Sequence, residues 1–123
     1  MFGLFKKEIS WKDLEFIFIV NAIGVYKDLP PTMFVSEVND KIQKILEAKK
    51  FKLTIAQKNT LQTACVTLQM SEELQKILKN AITREGSLVQ SEVNKLIDSM
   101  PKFGIFFCDT PSLADIRKNI MGN

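Results

Sequence analysis

Leu14–Tyr26, LEFIFIVNAIGVY, is the most apolar stretch of the chain, and Glu15 and Asn21 are its only strongly polar side chains. Any fold in water has to bury most of it. The segment Phe16–Val20 is rich in β-formers, so an extended strand competes with a helix there. The helix is preferred because the apolar stretch is long and no partner strand is evident. Ser10 followed by Asp13 also supplies a helix-start signal, with an acid placed at the positive helix end. The expectation is a first helix over about 11–27, apolar on nearly every side and buried. Asn21 would be its one polar liability, and Gly24 marks a point where another element crosses closely.

Helix signals recur downstream. Leu29-Pro30-Pro31-Thr32 stops the first helix, because consecutive prolines cannot continue one. A second helix follows over about 33–50, with Val35, Val38, Ile42, Ile45 and Leu46 as its inner stripe. Phe51-Lys52-Leu53 is a connector. Thr54 with Gln57 forms a capping box that opens a third helix to about Met70, facing inward through Leu61, Ala64, Cys65 and Leu68. Ser71, with Glu72 and Glu73 behind it, opens a fourth that carries Leu74, Ile77, Leu78, Ala81 and Ile82 and ends at Gly86. Ser87 and Gln90 read as another capping box. The fifth helix presents Leu88, Val89, Val93, Leu96 and Ile97 until Pro101 ends it.

Phe103–Cys108, FGIFFC, is too short for a helix and reads as an extended segment laid over the bundle. If Phe16–Val20 were a strand, this segment would be its natural partner. Thr110-Pro111 is a cap followed by proline at the first helical position, so a last helix is expected from Pro111 to about Met121, facing inward through Leu113, Ile116 and Ile120. The predicted fold class is all-α: one domain over residues 1–123, a bundle of five to six helices around a buried first helix, with a short extended segment near 103–108.

The length of 123 residues is that of one ordinary domain, which buries roughly two thirds of its unfolded surface. A hydrophobic share of 46% and a charged share of 25% belong to a globular protein. Lys6 and Lys7 before Phe16–Val20 resemble the basic flank of a signal peptide. Glu8, Asp13 and Glu15 put acid where such peptides avoid it, however, and no small-x-small cleavage site is convincing. The apolar stretch is also shorter than the roughly 20 residues that span a bilayer. Met1–Ile9 is a lead whose Phe2 and Phe5 either cover part of the core or stay mobile. With Cys65 and Cys108 its only cysteines, the chain has no disulfide framework, and a reducing, cytoplasmic location is expected.

The residue types exclude most familiar chemistry. The chain has no histidine, which removes the commonest general base, the paired nucleophiles that depend on it and imidazole metal sites. There is no CxxC, no glycine-rich phosphate loop, no GxSxG and no calcium loop. The acids are scattered singly. No enzyme activity, cofactor or metal is therefore expected. Cys65 shares a face with Leu61 and Leu68 and reads as inert core, while Asp109 beside Cys108 disfavours its thiolate.

Two surface features remain. Six lysines at 41, 44, 49, 50, 52 and 58 face a single acid, Glu47, in that span. Glu37 and Asp40 are spaced to offset Lys41 and Lys44, and Lys49 and Lys50 suit a helix C-terminus, so a solvated face is the simpler account. No arginine is present there to read bases. The aromatic run is the other feature, with closure of the core as its simpler account. The expected function is a small cytoplasmic module that binds another protein without catalysis, of the immunity or inhibitor class, through Lys49, Lys50, Lys52, Lys58, Phe103, Phe106 and Phe107. The alternative is a helical nucleic-acid-binding protein that uses the Lys41–Lys58 surface.

Overall fold

The computed structural model describes residues 6–28 and 33–108. It is all-α in class. The helices are α1 (Trp11–Asp28), α2 (Phe34–Ala48), α3 (Ile55–Met70), α4 (Glu72–Asn80) and α5 (Gln90–Ser99), and a 3-10 turn, Met100–Phe103, follows α5. Two minimal strands, β1 (Lys7–Glu8) and β2 (Phe51–Lys52), pair in parallel, with Lys7 opposite Phe51. The expected last helix, the lead residues Phe2 and Phe5 and the Pro30-Pro31 break lie outside the described residues.

Phe16–Val20 is helical, as preferred. Ser10 caps α1 through its Oγ, which accepts from the Asp13 amide at 3.1 Å. Leu14, Phe18, Ala22 and Val25 recur along one side and are at most 1% exposed, with Ile19 and Ile23 beside them in the core. Against this side pack α2, α4 and part of α3. The pairing of β1 with β2 returns the end of α2 to the start of α1, so these two helices run antiparallel. Asn21 is no liability, because its Nδ2 donates to the Ile17 carbonyl at 2.7 Å within the helix.

Four expectations about α1 and the region from α4 to α5 are corrected. Helix α1 is not buried on every side, since Phe16 is 66% exposed. Gly24 is not a crossing point among the described residues, since a Cβ built there meets none of their atoms within 4 Å. Helix α4 ends at Asn80, well before Gly86. The β-branched pair Ile82-Thr83 leaves the helix and doubles back, with an antiparallel bridge between Ile82 and Leu88 and a hydrogen bond from the Thr83 amide to the Ser87 carbonyl at 2.8 Å. Gly86 serves that turn, at φ +95°, where a side chain would be strained. With Ser87 committed to Thr83, no Ser87–Gln90 capping box forms, and α5 starts after Val89 without a side-chain cap.

The capping box at α3 forms as expected and does more than cap. Gln57 Oε1 accepts from the Thr54 amide at 2.9 Å, and Thr54 Oγ1 accepts from the Gln57 amide at 3.1 Å. Gln57 is 2% exposed, and its Nε2 donates to the Ile9 carbonyl at 2.8 Å. One amide therefore fastens the segment before α1 to the start of α3. Replacing it leaves a buried carbonyl without a donor, which costs about 2–3 kcal/mol. We expect Gln57→Ala to lose that much in denaturant unfolding, against about 1 kcal/mol for Thr54→Ala, which removes a cap alone. The Lys7 amide, bonded to the Lys50 carbonyl at 3.1 Å, should lose exchange protection only in the Gln57 variant. Equal losses in the two variants would contradict this role.

Candidate functional site

The outward side of α1 carries an apolar surface that the sequence reading placed in the core. Phe16 and Val20 form a ridge along it with a concavity on each flank. The larger, about 510 Å³, is lined by Ile17, Ile45 and Phe51, with Asp13 and Lys49 among its other residues. The smaller, about 180 Å³, is lined by Ile19, Val93, Leu88 and Ile97, with Lys12 and Glu15 alongside. Leu88 and Ile97 are themselves 45% and 36% exposed. Partial burial raises the Glu15 carboxyl above its ordinary pKa, and the nearby Lys12 ammonium opposes that rise. Helical spacing had marked Phe16, Leu88 and Ile97 as apolar without saying which apolar positions would stay uncovered. Phe16 belongs to a helix whose apolar residues outnumber the neighbours available to cover them.

All six lysines of the basic cluster are exposed. Lys49 and Lys50 sit in the turn after α2, where the Lys49 amide donates to the Ile45 carbonyl and Lys50 takes φ +58°. The offsetting pairs expected on α2 do not close. The one salt bridge among the described residues is Lys95 to Glu92 on α5, at 3.1 Å. Lys6, Lys52 and Lys58 line a shared concavity of about 200 Å³ with Glu47, and Lys7 lies in β1 beside β2. Lys6 and Lys7 were missed as part of this surface because a parallel pairing between distant segments brings them there.

The aromatic candidates go elsewhere. Gly104 at φ +82° closes the 3-10 turn, with the Ile105 amide donating to the Met100 carbonyl, and Ile105 is buried. Phe107 stacks at a tilt on Phe18 with ring centroids 5.5 Å apart, and Phe103 also packs against the core half-buried. Phe106 and Cys108 line a separate concavity of about 210 Å³ with Trp11, Thr60 and Thr63. Phe106 and the cluster lysines thus line different concavities.

Reactive groups are sparse among the described residues. Five concavities among these residues are each lined by at most one carboxylate. Among the described residues, no group of three or more Cys, Asp or Glu is placed to hold a metal ion. No helix there is long and apolar enough to cross a membrane. Compared with family models, curated proteins and solved structures, the chain matches none.

Burial pushes the Cys65 thiol up to about 12, and its Sγ lies 3.9 Å from Asn39 Oδ1, whereas Cys108 is exposed. A thiol with so high a pKa has almost no thiolate near neutrality. In a native titration at pH 8 with a chromogenic disulfide, we expect the Cys108→Ser variant to show no fast-reacting thiol and the Cys65→Ser variant to show one. Rapid reaction of Cys65 in folded protein would contradict its placement.

Proposed function

We propose that this chain is a cytoplasmic protein-interaction module without catalysis, which acts by covering a partner's surface in the manner of an immunity or inhibitor protein. The observation that carries the reading is Phe16, 66% exposed on the ridge between two apolar concavities. A Phe side chain left in water forgoes about 2–3 kcal/mol of burial free energy, which a partner that covers it recovers. Charged residues around the ridge, Lys12, Asp13, Glu15 and Lys49, surround an apolar centre, the usual anatomy of a protein-binding patch. An aromatic side chain at such a centre is a typical energetic anchor.

The second reading, nucleic-acid binding, is favoured by one observation: the β1–β2 pairing adds Lys6 and Lys7 to the cluster of Lys49, Lys50, Lys52 and Lys58. Six cations around one short ladder are enough for phosphate contacts, whose affinity falls steeply with salt.

Two variants separate these readings. Phe16→Glu changes an exposed side chain, so its circular dichroism spectrum and melting should match the wild type. We expect immobilised wild type to retain a specific protein from host extract and Phe16→Glu to lose at least tenfold of it. A variant with Lys49, Lys50, Lys52 and Lys58 all changed to Gln should retain it. Loss of retention only in the lysine variant, together with salt-sensitive binding to DNA or RNA, would overturn the proposal in favour of nucleic acid.

A further inference from the structure

The exposed stripe of α1 has the same spacing in both directions. Asp13, Phe16, Val20, Gly24 and Lys27 follow one another at steps of three, four, four and three residues, and each is exposed or half-buried. At about 100° per residue these steps keep all five on one side of the helix. A second α1 laid antiparallel across it, with a two-fold axis at Val20, brings Asp13 opposite Lys27 and Phe16 opposite Gly24. Val20 then meets its own counterpart.

We propose that the occupant of this surface is a second copy of the chain, joined through the α1 stripe in a two-fold antiparallel pair. The inference rests on the reading above that the Phe16 surface binds protein, and it names the partner. Three observations support it together. The first is shape: Phe16 is 66% exposed, and a Cβ built at Gly24, its symmetry mate, would meet nothing within 4 Å among the described residues. The half-buried backbone at Gly24 therefore has room for a side chain where the ring of the other copy arrives, and glycine there lets the two helices approach closely. The second is charge: Asp13 and Lys27 have opposite signs at symmetric positions, and neither side chain is ion-paired among the described residues. The third is symmetry itself. An isologous interface requires each residue to meet its complement on an identical surface, and this stripe meets that condition at every position.

A single helix pair with flanking contacts lies at the small end of stable interfaces, so association is expected at roughly 1–100 μM. Sedimentation equilibrium across that range should show a reversible monomer–dimer equilibrium. Asp13→Lys and Lys27→Asp should each weaken it on the order of tenfold, because attraction becomes repulsion at two symmetric places. An equal mixture of those two variants should recover wild-type affinity, since each chain then meets the opposite charge at both ends. Gly24→Leu should abolish the dimer while leaving the helical spectrum unchanged. Lys49 lines the same concavity as Asp13, so the fold of Asp13→Lys is checked by its melting curve.

A chain that stays monomeric up to about 1 mM, or a dimer that is insensitive to these changes or fails to recover on mixing, overturns the proposal. A monomer whose Phe16→Glu variant still loses its captured host protein overturns the second copy and leaves the protein-binding reading standing. A monomer with no Phe16-dependent capture overturns both.

Discussion

Leu14, Phe18, Ala22 and Val25 form one continuous apolar side of α1, and the other helices are placed by the need to cover it. Helix α2 contributes Phe34, Val38, Ile42 and Leu46, α3 contributes Leu61, Ala64, Cys65 and Leu68, and α4 contributes Leu74 and Leu78, all buried in the same cluster. The aromatic run then closes it through Ile105 and Phe107, the latter on the ring of Phe18. Each large side chain in that cluster contributes about 1.5–3 kcal/mol by leaving water, so the cluster outweighs any single hydrogen bond in the fold. The same helix has more apolar residues than its neighbours can reach. What is left over, Phe16 and Val20, faces outward, and the candidate interaction surface is a direct consequence of how the core is built.

Gln57 adds a constraint of a different kind. Apolar packing does not dictate where the segment before α1 goes. A single buried side-chain amide with two hydrogen bonds, accepting from the Thr54 amide and donating to the Ile9 carbonyl, sets it beside the connector between α2 and α3. That contact brings Lys6 and Lys7 to the lysines of the connector. The basic surface is therefore a product of a polar tether and would not follow from hydrophobic pattern alone.

Local signals carried most of the helical order into the sequence. Ser10, Thr54 and Ser71 each cap the helix they were read to open, and the buried stripe of α3 is the one its spacing predicted. Two local pairing signals failed. Ser87 and Gln90 have the spacing of a capping box, yet Ser87 bonds to Thr83 across a turn instead. Glu37 and Asp40 have the spacing to pair with Lys41 and Lys44 but do not, as expected for exposed pairs whose gain barely offsets side-chain entropy. The candidate site was the least legible part. Periodicity says which residues are apolar, and only the count of covering neighbours says that Phe16 stays out. Gly24 followed the same logic: a glycine within an apolar helix suggests a close approach, but no element among the described residues makes it.

The central claim is that α1 has one side in the core and the opposite side open. The most direct measurement is a pair of truncations on that helix, Phe18→Ala and Phe16→Ala, compared by denaturant unfolding of dilute protein. The rings are two residues apart in sequence and identical in chemistry, so helix propensity and transfer free energy cancel between them. The account predicts a loss of about 3–5 kcal/mol for Phe18. For Phe16 it predicts less than about 1 kcal/mol. Equal losses, or a larger loss at Phe16, would contradict it.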